Sequence, residues 1–353
     1  MIYKRCLCIE IGNYNTKIVQ YRKLGPKEIV EKYQVFRTPE NSIHDGKIID
    51  LDSLAVIIQV KLNENSFKIK DVIFTISGTS IITREILLPK ANEKELKAMI
   101  EMNASDYLPI NLSNYILDFK VLREVAVEGG SQLRVLLVAV PNMIIEGFIS
   151  LSEKCGLNIL AIDYSGNSFY KAVQKEINWR REKKGIKVDS YAVFDIGSKT
   201  TSVIIVSEGF LEFSNMLQYG SKNMDIAISQ RNGIDEDKAE ELKIQKGNVS
   251  GSGNNTEELS FVGDSVRSVL ITMTDDISNF FEYYLSRKTG NTIDMIFTTG
   301  CGSRLDGLEE YFQRAFGIPT QRLEKLNFVE IKESKNTNEF LNYNLEKCVG
   351  AAL

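Results

Sequence analysis

Two stretches of this sequence repeat one pattern. CLCIEIGNYNTKIVQY (6–21) and YAVFDIGSKTTSVIIV (191–206) each pass from an apolar strand through a carboxylate, an isoleucine and a glycine into a small polar turn and a second strand. The carboxylate precedes the glycine by the same interval in both, as Glu10/Gly12 and Asp195/Gly197. A third glycine turn, at 300–307 in IDMIFTTGCGSRLDGLEEYFQRAFG, follows a buried strand and leads into a helix. Together these residue types suit a polyphosphate. Glycine lets backbone N–H groups approach it, Thr16, Thr200 and Thr201 offer hydroxyl donors, Lys17 or Lys199 supplies positive charge, and a carboxylate can orient Mg²⁺ through its waters. A turn at the C-terminal end of a strand is also where open α/β sheets commonly take a ligand. No G-x-x-x-x-G-K-[ST] loop and no G-x-G-x-x-G fingerprint is present. Each turn alone is what an ordinary hairpin with a positive φ requires.

Other chemistries are excluded by composition. The single histidine, His44 in NSIHDGK, provides neither a Ser-His pair nor a set of histidine ligands, and reads as a solvated side chain. Five scattered cysteines (Cys6, Cys8, Cys155, Cys301 and Cys348) with no C-x-x-C spacing argue against zinc or a disulfide framework. Cys6 and Cys8 alternate along one strand and fill one face of it. A net charge of −4 lacks the basic surplus of a nucleic-acid binder. The longest apolar run, Val135 to Val140, is strand-sized, far short of the ~18 residues that span a bilayer. The start MIYKRCLCIEIG enters a strand without a signal-peptide pattern. A cytoplasmic protein without direct membrane insertion is expected.

A chain of 353 residues exceeds one ordinary core, and the echo of 6–21 at 191–206 predicts two pseudo-duplicated halves. They meet near QKEINWRREKKGIKVDS (174–190). In the first half, 72–89 reads as strands ending at Pro89, and 91–109 as a helix with Leu96, Ile100, Asn103 and Tyr107 on its stripe. YILDFKVLREV and LRVLLVAVP are strands around the turn EGGS, and NMIIEGFISLSEKCGLN is an amphipathic helix ending at Gly156. In the second half, SEGFLEFSNML forms a hairpin, KNMDIAISQRN opens a helical region, and KGNVSGSGNNTEELS (246–260) is a loop. The stretch 264–290 is a long helix whose apolar stripe runs Val266, Val269, Leu270, Met273, Ile277, Phe280, Phe281, Tyr284 and Leu285, with Gly290 ending it.

The three glycine turns, in this order, resemble the phosphate-1, phosphate-2 and adenosine motifs of the actin-like ATPase superfamily. AEELK (239–243) fits the same pattern: Glu240 and Lys243 match the residues that usually reach ribose and base, and Gly220 in QYGS matches the glycine before that subdomain. A narrower resemblance, to the PilM family of type IV pilus assembly proteins, rests on TREILLPKANEKELKAMIEMNASDYLPINLSNYILDFKVL (83–122). LLVAVPNMIIEGFISLSEKCGLNILAIDYSGNSFYKAV (136–173) and the closing EKCVGAAL continue it.

That resemblance implies an α/β actin-like ATPase fold with a nucleotide cleft between two halves. Its subdomains would be 1–83 plus 160–188, a small one at 84–159, 189–220 plus 266–353, and 221–265. ATP and Mg²⁺ are the implied cofactors. Gly12, Asn13, Asn15, Thr16 and Lys17 would face the phosphates from one side, and Asp195, Gly197, Lys199, Thr200 and Thr201 from the other. Gly300, Cys301, Gly302, Arg304 and Leu305 would border the adenosine. Glu10 and Asp195 would orient Mg²⁺ and its water. Glu10 stands where the superfamily usually has aspartate, Asn13 where it has a small hydroxyl residue, and Cys301 within a typical run of glycines. The extra methylene of Glu10 moves its carboxylate by roughly 1 Å, so the expectation is ATP binding with at most slow ATPase activity.

The resemblance further implies a scaffold held at the cytoplasmic face of the membrane by the N-terminal tail of a PilN-type membrane protein. That tail would lie in a groove between the first two subdomains. An assembly ATPase, a platform protein and a second copy of the chain are further implied contacts. Two alternatives compete, because fold does not decide function. An FtsA-like division tether would carry a C-terminal amphipathic helix, which this sequence does not show before its end at Leu353. A small-molecule kinase would need a base such as Asp163, a residue that better suits capping the helix after it.

Overall fold

The computed structural model describes residues 4–127, 130–250, 257–332 and 344–353, with the backbone alone over 257–260. The first two residues of the EGGS turn and the glycine-rich stretch at 251–256 lie outside the described residues. The first half runs β1 (Arg5–Ile11), β2 (Asn15–Leu24), β3 (Lys27–Arg37), the short pair β4 (Ile43–His44) and β5 (Lys47–Ile48), α1 (Leu51–Glu64) and β6 (Asp71–Ile76). It continues through β7 (Ile82–Pro89), α2 (Glu93–Tyr107), β8 (Tyr115–Val127), β9 (Gly130–Pro141), α3 (Asn142–Cys155), β10 (Asn158–Tyr164) and α4 (Ser165–Lys184). The second half opens with β11 (Ser190–Ile196), β12 (Thr201–Ser207), β13 (Phe210–Leu217), α5 (Ser221–Asn232), α6 (Glu236–Lys246) and α7 (Glu257–Ser286). It closes with β14 (Met295–Thr299), α8 (Leu308–Phe316), β15 (Thr320–Arg322), β16 (Val329–Ile331) and α9 (Glu346–Ala352).

The repeated sequence pattern becomes a repeated topology. One sheet has the order β10-β6-β1-β2-β3-β16 and the other β13-β12-β11-β14-β15. Without β16, each is an antiparallel three-strand meander whose first strand also pairs in parallel with a fourth, and that with a fifth. The register repeats as well: Glu10 lies beside Thr75 of β6, and Asp195 beside Thr299 of β14. β1 and β11 read as nearly unbroken apolar runs because both faces of these strands are covered. Cys6 and Cys8 face one core, while Leu7, Ile9 and Ile11 face the other.

A third sheet, β7-β9-β8, carries α2 on one face. Asn92 starts that helix with a capping box: its Oδ1 accepts from the Glu95 N–H at 3.0 Å and its own N–H donates to Glu95 Oε2 at 3.1 Å. The buried stripe is Leu96, Ile100 and Ala104; Asn103, expected on it, is exposed and donates to the Met99 carbonyl at 2.8 Å. Residues four apart keep to one helix face, and Tyr107, three residues beyond Ala104, packs at the edge of the same core.

Two further expectations shift. The long helix spans 257–286, so it takes the last four residues of the stretch read as a loop. It ends before Gly290, whose φ of 91° belongs to the following turn, and Leu285 is exposed rather than part of the stripe. Side-chain packing also groups elements differently from the division at 84–159 and 266–353. Ile144, Phe148 and Leu151 of α3 share a core with Leu54, Ile58 and Phe74 of the first sheet's layer. β16 pairs with β3, and Cys348, Val349 and Ala351 of α9 join Cys6, Cys8 and Val19, so the last elements return to the first half. No helix among the described residues is long and apolar enough to cross a membrane.

Candidate functional site

The two hairpin turns close in the same way. Gly12 N–H donates to the Asn15 carbonyl at 3.0 Å, and Gly197 N–H to the Thr200 carbonyl at 2.9 Å. Between them opens a cleft of about 430 Å³. The first half lines it with Ile11, Gly12, Asn13, His44, Asp45, Gly46, Ser77, Gly78 and Thr79, and the second with Lys199, Thr200, Met216, Gln218, Lys222 and Asn223. Asp45 braces one wall, accepting from Thr79 N–H at 2.5 Å and Ser80 N–H at 3.2 Å. Polar turns and the ammonium of Lys199, with that of Lys222 paired to Glu236 at 2.8 Å, make this wall chemistry suited to an anionic ligand.

Beside the turns lies a compact set of charges. Lys17 stands directly across the hairpin from Glu10, with Nζ 2.9 Å from Oε2. Lys347 of α9 places Nζ 2.6 Å from Asp195 Oδ2 and 3.6 Å from Glu10 Oε1. Next to it, Glu346 is buried and accepts from the Thr299 hydroxyl at 2.8 Å. Burial opposes ionisation of Asp195, but the Lys347 and Lys17 ammoniums outweigh it and hold the carboxyl below its usual range. Burial also opposes the charge on Lys347, and Asp195 and Glu10 more than offset this, so its pKa rises. No ammonium pairs with Glu346 among the described residues: burial, then the Asp195 charge, outweighs the more distant Lys17 and pushes its carboxyl up to about 7.

The position of α9 is set by close packing. A Cβ on Gly350 would lie 1.8 Å from the Ser168 carbonyl oxygen of α4, so only glycine lets the helices meet this closely. On the other side of Asp195, Gly300 has φ 86° and would bring a Cβ within 2.5 Å of Asp195 Oδ1. The third turn therefore abuts the second carboxylate.

The expected site residues separate into groups. Gly12, Asn13, Lys199 and Thr200 line the cleft. Thr16 and Thr201 are fully buried and their hydroxyls are used internally, Thr16 with Thr38 Oγ1 at 2.9 Å and Thr201 with the Tyr219 carbonyl at 2.8 Å. Strand alternation turns them inward, which corrects their reading as donors to a phosphate. Lys17 is likewise spent on Glu10. Asn15 begins β2, and Gly197 and Gly220 hold the second turn, where Ser221 N–H donates to the Gly197 carbonyl at 2.9 Å.

Glu240, Lys243, Gly300, Cys301, Gly302, Arg304 and Leu305 do not line this cleft. Glu240 accepts from the Tyr14 hydroxyl, and Arg37 lies 3.2 Å from the Tyr14 ring centroid, which bridges the halves. Lys243 pairs with Asp225 Oδ1 at 2.7 Å. Leu305 is buried, and Cys301 is exposed with its sulfur accepting from Asn344 at 3.2 Å. Asp163 accepts from Ser168 at 2.6 Å and Asn167 at 2.8 Å and pairs with Lys171 at 3.1 Å, so it secures the start of α4.

The sequence reading missed Lys347, Glu346, Tyr14, Arg37, Asp45 and the loop at 77–79, and gave His44 no place in the cleft. The small-residue run ISGTS (76–80) after a buried strand was a legible signal for that loop; Lys347 had none beyond one lysine in a run of buried neighbours.

The magnesium expectation does not fit this charge set. Both oxygens of Glu10 and one of Asp195 are engaged by ammoniums, and the other faces Gly300. At an effective dielectric of about 20, a dication 4 Å from an ammonium is repelled by roughly 8 kcal/mol, which cancels its attraction to a carboxylate at the same distance. Among the described residues no group of three or more His, Cys, Asp or Glu could hold a metal ion.

The family model described as type IV pilus assembly protein PilM matches residues 8–352. A solved PilM-PilN type IV pilus biogenesis complex contains a chain with TM-score 0.82 and 21% identity, covering 100% of this chain and 98% of that one. MreB5 of Spiroplasma citri bound to ADP has TM-score 0.50 and 13% identity, covering 98% and 94%. Among curated proteins, the cell division protein FtsA of Buchnera aphidicola subsp. Acyrthosiphon pisum (strain APS) is 24% identical over 239 residues, 61% of this chain. The match spans about half of that relative, 55% of its length. The structural likenesses establish the actin-like ATPase fold.

Proposed function

This chain belongs to the PilM family of type IV pilus assembly proteins, and on that premise we propose that it is a nucleotide-binding scaffold of the pilus assembly machinery. It works at the cytoplasmic face of the membrane, held there by the short cytoplasmic tail of a PilN-type membrane protein. The observation that carries the nucleotide part is the cleft itself. Two glycine turns with matching hydrogen bonds face one another across about 430 Å³, within the usual size of a ligand pocket.

In this reading ATP lays its phosphates between Gly12–Asn13 and Lys199–Thr200. Glu240, Lys243 and the turn at 300–305 receive ribose and base once the Tyr14–Glu240 contact opens. Turnover is slow, far below the roughly 1–10³ s⁻¹ of dedicated enzymes, because the two carboxylates beside the turns, Glu10 and Asp195, are held in ion pairs. The tail docks in the groove between the first sheet's layer and the small sheet.

Titration of the full chain with ATP tests the first part. Saturable binding is expected, and Lys199→Ala should weaken it by about tenfold through loss of a charge-assisted contact. A chain that binds no ATP overturns the reading. The docking part is tested by replacing 83–138 with a short Gly-Ser linker, whose ends the Ile82–Ala139 pair holds together. This leaves α3 in its core. Tail co-purification should disappear while ATP binding persists; retained tail binding moves the docking site elsewhere.

A further inference from the structure

The pair of carboxylates beside the turns already has its cation. We propose that Lys347 is the resident cation of the Glu10–Asp195 pair, so that this chain admits no divalent ion between them and binds nucleotide without magnesium. The second clause rests on the nucleotide reading of the cleft; the first does not.

Three observations converge on it. The ammonium bridges the two halves, at 2.6 Å from Asp195 and 3.6 Å from Glu10. The set is neutral as it stands, since Lys17 and Lys347 balance two carboxylates, all four side chains being 13–16% exposed. In the nucleotide-free chain, adding a dication would leave two uncompensated positive charges in a poorly solvated place. Finally, the backbone that carries Lys347 is pinned on both sides. Glu346 is tied to Thr299 at 2.8 Å, Cys348 is fully buried, and Gly350 lies against Ser168. A lysine ammonium cannot copy the six waters of a magnesium ion, but its three donors can join two carboxylates and leave one for a third acceptor. A phosphate oxygen has that chemistry.

Two titrations of the full chain test the proposal. In the first, Mn²⁺ is added to nucleotide-free protein and the free ion is followed by EPR. The unaltered chain should show no saturable binding below millimolar ion, and Lys347→Gln should acquire a site. In the second, ATP is titrated by calorimetry in EDTA and in excess Mg²⁺. The affinities of the unaltered chain should agree within about threefold, while Lys347→Gln should lose about tenfold or more in EDTA and recover in Mg²⁺. Tight Mn²⁺ binding by the unaltered chain overturns the proposal, as does a loss of more than about threefold in its ATP affinity in EDTA. Should Lys347→Gln fail to fold, the two measurements on the unaltered chain still decide. Absence of ATP binding in both buffers overturns the nucleotide reading instead, and the Mn²⁺ titration alone then decides the role of Lys347.

Discussion

The hairpins β1–β2 and β11–β12 occupy the same place in two sheets of the same order, and their turns close with the same hydrogen bond, 3.0 Å in one and 2.9 Å in the other. Their carboxylates have different surroundings. Glu10 faces Lys17, seven residues away and directly across its own hairpin. Asp195 has Ser202 in that place and draws its cation, Lys347, from a helix that packs on the other half. The neighbouring threonines differ in the same sense. Thr299 donates to Glu346, whereas the buried Thr75 hydroxyl has no hydrogen-bond partner among the described residues. Duplication has thus preserved the turn, which local backbone geometry dictates, and let the electrostatics diverge. The first carboxylate is neutralised within its hairpin; the second depends on the chain's last helix.

The strongest way to break this comparison is a pair of double-mutant cycles. Lys347→Met combined with Asp195→Asn should give a coupling of about 2–3 kcal/mol in urea unfolding, and combined with Glu10→Gln less than about 1 kcal/mol. Distances of 2.6 and 3.6 Å underlie that order. Equal couplings would mean that Lys347 serves both hairpins alike.

A second experiment sharpens the contrast through pH. The Glu346 carboxyl is raised to about 7 in the folded chain, so between roughly pH 4.5 and 7 the folded state holds a proton that the unfolded chain has released. Stability from this group is therefore full below that window and falls as pH rises through it. Glu346→Gln should remove the slope, matching the unaltered chain at pH 4 and exceeding it at pH 8 by about 3 kcal/mol. No gain at pH 8 would mean that the carboxylate is better compensated than its burial indicates.

The smallest effect compares the two threonines directly. Thr299→Val strands the buried Glu346 acceptor and should cost about 1–2 kcal/mol. Thr75→Val removes a hydroxyl that satisfies nothing and should be neutral within about 0.5 kcal/mol. Similar losses at both positions would show that the divergence between the halves does not reach these strands.

Much of the architecture was legible because its signals are local. The echo of 6–21 at 191–206 and the stripe of the long helix both depend on periodicity within a few turns or strands. The turns were found for the same reason. The direction of each turn's side chains was not. In TKI and TTS, alternation says that neighbours face opposite ways without saying which faces inward, and Thr16 and Thr201 both proved to be inside. Glu240 and Lys243 were placed by resemblance, and their partners here, Tyr14 and Asp225, lie on segments that no local pattern connects to them.

The amino-acid sequence by itself determined the two hairpins, their carboxylates and the glycines that close their turns, because these follow from strand period and backbone sterics over about ten residues. Only the tertiary structure decided which charges meet. Lys347 follows Asp195 by 152 positions and Glu10 by 337, and it reaches both because Gly350 lets α9 lie against α4 and turn one ammonium toward the junction of the halves. Electrostatic neutrality at that junction is a property of packing, since charges act through space and through the solvent that packing removes.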